Sequence, residues 1–181
     1  MLSEKGLICS RKISTLPDIT ADEAIEILRN AGCEEKVISH CIAVKDLALK
    51  FLKKSGADRD LVETGALLHD VGRCKSHGLD HAVIGARICR DLGLDERVCR
   101  IVERHIGAGI TYEECIKERL EPGNYIPESV EEKIVAHADN LIKGTGEITT
   151  EERLKRSDKL SPEAGRRILL LSEEIEKYRE D

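Results

Sequence analysis

The stretch GALLHDVGRCKSHGLDHAVIGA, Gly65 to Ala86, carries three histidines and two aspartates within a few helical turns. His69 and Asp70 stand side by side in a run that is otherwise apolar. A buried carboxylate needs a partner or a cation. Imidazole and carboxylate together suit first-row divalent metals. Small neighbours, Gly65 and Ala66 beside His69 and Gly85 after His81, leave room for a bound ion. The chemistry to look for is therefore metal-assisted.

A wheel at 100° per residue extends the pattern beyond the doublet. His40 shares an arc with Val37, Val44, Leu47 and Phe51. His81 lies with Ile84, Ile88 and Leu92, and His105 with Val98, Ile101 and Val102. Four histidines from four helices thus point at apolar faces, and one buried aspartate accompanies them. One inward histidine is ordinarily a satisfied core residue; four with a carboxylate are poorly explained that way. On the helix Val130 to Ile142, His137 and Asp139 lie on opposite rims of the apolar arc, and periodicity does not choose between them.

The elements that must position these groups are helices. Thr20 with Glu23 has capping-box spacing ahead of a helix Ala21 to Ala31 that Gly32 ends. Glu34 to Ser55 reads as one long amphipathic helix. The helix from Asp58 is apolar on nearly all sides as far as Val71, which predicts burial. Leu79–Leu92, Asp95–Ile106, Tyr112–Leu120, Val130–Ile142, Thr150–Ser157 and Ser161–Tyr178 follow, the last with proline at its first position. RCKSHG, GAGIT, EPGNYIPES and KGTGEIT read as loops. No useful period-2 strand occurs, so the fold class is all-α.

The 181 residues suit one domain, residues 18–181, with residues 1–17 as an N-terminal tail. Apolar residues make up 40% and charged residues 35%, a globular composition. No apolar run approaches the ~20 residues of a membrane helix, and the N-terminus lacks a signal-peptide h-region. A formal charge of −6 and only 2% aromatics argue against a nucleic-acid backbone as the main partner. The seven cysteines are odd in number and form no CxxC, which fits reduced thiols in a cytoplasm.

The ordered set His40, His69-Asp70, Asp139 resembles the H…HD…D signature of the HD-domain metal-dependent phosphohydrolases. HDVGR, His81 followed by IGA, VERH and EEKIVAHADNLIKG resemble further segments of that family, in order, from about Glu34 to Lys143. The resemblance implies an HD-type helical bundle with extra C-terminal helices, core motifs 34–143, and Asp139 rather than His137 as a ligand. With both extra histidines present it implies the six-ligand branch. His40, His69 and Asp139 would then hold one ion, His81 and His105 a second, and Asp70 would bridge. The cofactor would be one or two divalent transition-metal ions: iron, manganese, nickel, cobalt or zinc. Two such ions, roughly 3.5–4 Å apart, would acidify a water for in-line attack on phosphorus. The substrate would be a small phosphorylated molecule, a nucleotide by the family's habit.

Asp70, Arg73 and Lys143 are the catalytic candidates. Arg73, Tyr112 and Tyr125 are the candidates for holding substrate. Arginine at position 73 would also suit a helix C-terminus. Besides a purely structural helical protein, which would leave the buried Asp70 unexplained, two other readings remain open at this level. One is a catalytically silent nucleotide-binding or regulatory domain. The other is structural zinc on Cys74-x-x-His77-x-x-x-His81.

Overall fold

The computed structural model describes residues 19–155 and 160–180. The expected N-terminal tail, residues 1–17, lies outside the described residues. Helix α1 (Ala21–Ala31) starts at the Thr20–Glu23 capping box and stops at Gly32 in left-handed conformation. Helix α2 (Glu35–Ala48) passes through a 3₁₀ turn (Leu49–Phe51) into the single turn α3 (Leu52–Ser55). The one long helix expected over Glu34–Ser55 is thus interrupted where Phe51 turns fully into the core.

Asp58 caps α4 (Arg59–Leu68) by accepting from the Leu61 N–H. Leu61, Val62, Ala66, Leu67 and Leu68 are all buried, so α4 is the central rod of the bundle. It packs against α1, α2, α6 (Glu96–Arg104) and α8 (Val130–Asn140). Between α4 and α6, Gly65 removes a side chain where a Cβ would sit 2.7 Å from two methyl carbons of Ile101.

The helix expected to run to Val71 ends at Leu68. His69 is its C-cap, and Asp70 leads into a 3₁₀ turn (Val71–Cys74). The turn packs on α5 (His81–Asp91), which begins two residues later than the periodicity suggests. Helix α7 (Tyr112–Glu118) has its own capping box, Thr111 with Glu114. After α8 the chain makes a two-stranded antiparallel hairpin, β1 (Ile142–Lys143) with β2 (Gly146–Glu147), where a loop was expected. Helices α9 (Thr150–Lys155) and α10 (Pro162–Ile175), followed by a 3₁₀ turn (Glu176–Tyr178), close the chain over α8. Among the described residues no helix is long and apolar enough to cross a membrane.

Candidate metal centre

The expected ligands converge from several elements. His69 and His105 cap the C-termini of α4 and α6, Asp139 lies in the last turn of α8, and His81 opens α5. His40 reaches in from the middle of α2. His69, Asp70, His81 and His105 are buried, while His40 and Asp139 are partly exposed and mark the open side.

All four imidazoles are oriented by the same device. His69 Nδ1 donates to the Ala66 carbonyl at 2.7 Å and His105 Nδ1 to Val102 at 2.7 Å. His81 Nδ1 donates to Gly78 at 2.6 Å and His40 Nδ1 to Gly144 at 2.9 Å. A carbonyl can only accept, so each Nδ1 carries a proton, and in the neutral form of that tautomer the Nε2 lone pair faces inward. These lone pairs converge on two carboxylates. Asp139 Oδ1 is 3.0 Å from His40 Nε2 and 3.5 Å from His69 Nε2. Asp70 Oδ1 is 2.9 Å from His81 Nε2 and 3.7 Å from His105 Nε2, with its Oδ2 3.8 Å from His69.

The donor set fits divalent cations on grounds internal to the structure. His81 and His105 face each other with Nε2 atoms 3.1 Å apart, acceptor against acceptor. Burial, reinforced by the charges of His69 and His81, pulls His105 down to about 3, so its lone pair stays open at neutral pH. His69 Nε2 is buried without any hydrogen-bond partner. Burial pushes the Asp70 carboxyl up, but the His69, His81 and His105 imidazoles outweigh it and hold Asp70 below the ordinary carboxylate range. For Asp139 the nearby His40 and His69 imidazoles, 3.0 and 3.5 Å away, likewise prevail over burial and hold it below the ordinary carboxylate range. The ligand atoms fall into two overlapping groups, His40–His69–Asp139 and His69–Asp70–His105, each within 4.8 Å. His69 belongs to both.

If cations fill this centre, Mn²⁺ or Co²⁺ at about 100-fold excess over its Kd will stabilise the fold by about 2.7 kcal/mol. That is roughly 5–10 °C in a melt of a chain this size. Differential scanning fluorimetry with and without a chelator measures it; an unchanged melting point would speak against binding.

The remaining candidates lie around this core. Arg73 Nε donates to Asp70 Oδ1 at 3.0 Å and its NH1 to the His77 carbonyl at 3.0 Å. Lys143 is exposed in the hairpin, next to the Gly144 carbonyl that holds His40. Tyr112 is exposed at the start of α7, and Tyr125 donates its hydroxyl to the Glu121 carbonyl within its own loop. His137 turns away from the centre: its Nε2 lies 2.8 Å from Glu176 and its ring stands edge-on to Phe51. The structural-zinc alternative gains no support from this geometry, in which His81 Nε2 faces Asp70 and His105. No ligand group among the described residues contains Cys74 or His77.

Sequence reasoning missed Asn140. It is buried beside Asp139, donates to the Gly107 carbonyl at 2.7 Å and accepts from Arg153 Nε at 3.2 Å. On the helical wheel Asn140 falls opposite the apolar arc of α8, so periodicity gave no signal of its burial.

Comparison with known proteins is consistent with this geometry. The profile of the HD domain family matches residues 37–144. An uncharacterized protein of Methanocaldococcus jannaschii is 46% identical over 162 residues, covering 85% of this chain and 95% of that one. A tRNA (cytidine(56)-2′-O)-methyltransferase of Thermoplasma volcanium is 49% identical over 142 residues, covering 78% of this chain and 40% of that enzyme. The chain therefore spans well under half of that methyltransferase. Among solved structures, the HD domain of the L. monocytogenes phosphodiesterase PgpH in complex with cyclic-di-AMP superposes with a TM-score of 0.56 at 15% identity. The match covers 88% of this chain and 98% of that one.

Proposed function

The chain belongs to the HD-domain phosphohydrolase family, and from that premise we propose that it cleaves a phosphoester or phosphoanhydride bond of a nucleotide with the help of divalent metal. The observation that carries this reading is the convergence of four Nε2 lone pairs and two carboxylates on one buried centre. Divalent cations held there would supply Lewis acidity toward a phosphoryl oxygen and acidify a water. His40, His69 and Asp139 would hold one ion and His81 and His105 the other, with Asp70 between them.

The chain's own contribution is to orient and to neutralise. The Nδ1–carbonyl hydrogen bonds fix each imidazole's tautomer before any ligand arrives. Arg73 is anchored through Nε and NH1, which leaves its second terminal nitrogen as a donor for a non-bridging phosphate oxygen. Lys143 supplies a second, mobile positive charge on the open side. Arg73→Ala is expected to lower kcat/KM about 10–100-fold while metal content stays near that of the wild type. Steady-state kinetics alongside elemental analysis measure the two separately.

The test of the reading is metal content by plasma emission together with hydrolysis of an aryl phosphodiester and a nucleotide panel. One to two transition-metal ions per chain with turnover support it. Metal or nucleotide bound without turnover would favour a silent nucleotide-binding domain. No first-row metal under any loading would overturn it. The resemblance to part of a tRNA methyltransferase favours a second substrate class, an RNA phosphoester. The net charge of −6 opposes it, since phosphate-backbone binding ordinarily draws on a basic face. Short RNA oligonucleotides therefore belong in the same panel.

A further inference from the structure

We propose that Asn140 is a positioning residue that sets the separation between the two halves of the metal centre, and so decides whether two ions can be held at once. The inference rests on the metal-centre reading above and goes beyond it to a side chain that touches no ligand atom.

The two ligand groups share His69 but are otherwise carried by different elements. Asp139 ends α8, whereas His105 ends α6. The Nδ1 hydrogen bond of His105 to Val102 fixes its ring relative to α6 only. The Arg104–Glu132 ion pair ties the end of α6 to the first turn of α8; the turn after His105 is tied to the last turn of α8 by the Asn140 amide. After His105 the chain turns sharply through Gly107 (φ +61°) and Gly109 (φ +87°), left-handed positions that suit glycine. The Gly109 N–H closes this turn on the Ile106 carbonyl at 2.8 Å. The Gly107 carbonyl is thereby left facing α8, where Asn140 Nδ2 donates to it at 2.7 Å. Arg153 on α9 donates to the other end of the same amide at 3.2 Å. That pins the amide's orientation, because the oxygen must face the guanidinium and the nitrogen the carbonyl. Asn140 is only 3% exposed, so water does not readily take over either bond.

The amide thus bridges the residue after Asp139 and the turn that leaves His105. With this bond missing, each ligand group keeps its own internal hydrogen bonds, but their spacing relaxes. The first ion then binds much as before, and the second binds into a centre whose geometry is no longer held.

Asn140→Asp tests this. Aspartate has the same shape and accepts from Arg153, but at neutral pH it cannot donate to the Gly107 carbonyl. Its negative charge beside Asp139 would, by electrostatics alone, tighten cation binding. Weakened binding can therefore only report the lost donor. Titration of metal-free protein with Co²⁺, followed by visible absorption and calorimetry, is expected to show two ions in the wild type. In Asn140→Asp the first affinity should be retained and the second reduced about 10–100-fold, the range for residues that orient metal ligands. Arg153→Ala leaves the donor in place but unpins the amide. It should weaken the second ion about 3–10-fold, and it gives the answer if Asn140→Asp does not fold. Two ions at wild-type affinity in each variant that folds would overturn the proposal. A wild type that binds no Co²⁺ would instead overturn the metal-centre reading on which it rests.

Discussion

Asp70→Asn is expected to strip the protein of bound transition metal and to lower phosphodiester hydrolysis by on the order of 10³ or more. Asp70 is the carboxylate within reach of all four inward imidazoles: Oδ1 approaches His81 and His105, and Oδ2 lies 3.8 Å from His69 and 4.0 Å from His40. Asp139 reaches only His40 and His69. Removing the Asp70 charge leaves the His81–His105 side with no anionic ligand. The substitution keeps the side chain's volume, and the carboxamide nitrogen can donate to the His81 lone pair. The metal-free variant should therefore fold and melt close to the metal-free wild type, but Mn²⁺ or Co²⁺ should no longer raise its melting temperature. Elemental analysis and scanning fluorimetry measure the two halves of the prediction. A variant that still holds two ions would remove Asp70 from the bridging position.

The parts of this centre that were legible in the sequence are those governed by local rules. Helix periodicity placed His69, His81 and His105 inward and His40 on the same apolar arc as Phe51. Capping chemistry at Thr20–Glu23 and the proline at the start of α10 gave those helix starts within a residue or so. What periodicity could not resolve was which of His137 and Asp139 faces the histidines. Both lie at the edge of the α8 arc, and the answer depends on the elements packed beside each edge. Phe51 and Glu176 receive His137, while α2 brings His40 to Asp139. The end of α4 at Leu68 was hidden for a related reason. Nothing local stops a helix at His69-Asp70-Val71; the turn is imposed by α5 packing against it. Asn140 and the hairpin at Gly144 escaped because their roles are hydrogen bonds to backbone far away in sequence, at Gly107 and His40.

That packing makes a second, sharply structural prediction. Gly72, two residues after Asp70, lies against α5 so closely that an added Cβ would collide with the His81 carbonyl oxygen and sit 2.7 Å from the Gly85 nitrogen. Gly85 itself leaves no slack, since its own Cβ would meet the Gly72 nitrogen at 3.1 Å and a Val102 methyl at 2.9 Å. The two glycines stand backbone to backbone, and that contact brings Asp70 to His81. Gly72→Ala is therefore expected to destabilise the fold by about 3 kcal/mol or more, roughly 6–12 °C in melting temperature. It should also weaken the ion held by His81 and His105, because the turn can accept the methyl only by moving Asp70 away from His81. Gly65→Ala supplies the contrast. Its added methyl meets the Ile101 side chain, which can change rotamer, so about 1–2 kcal/mol is expected, with both ions retained. Equal effects of the two substitutions on stability and on Co²⁺ titration would mean that crowding in the core, rather than the backbone contact beneath the His-Asp turn, limits this part of the fold.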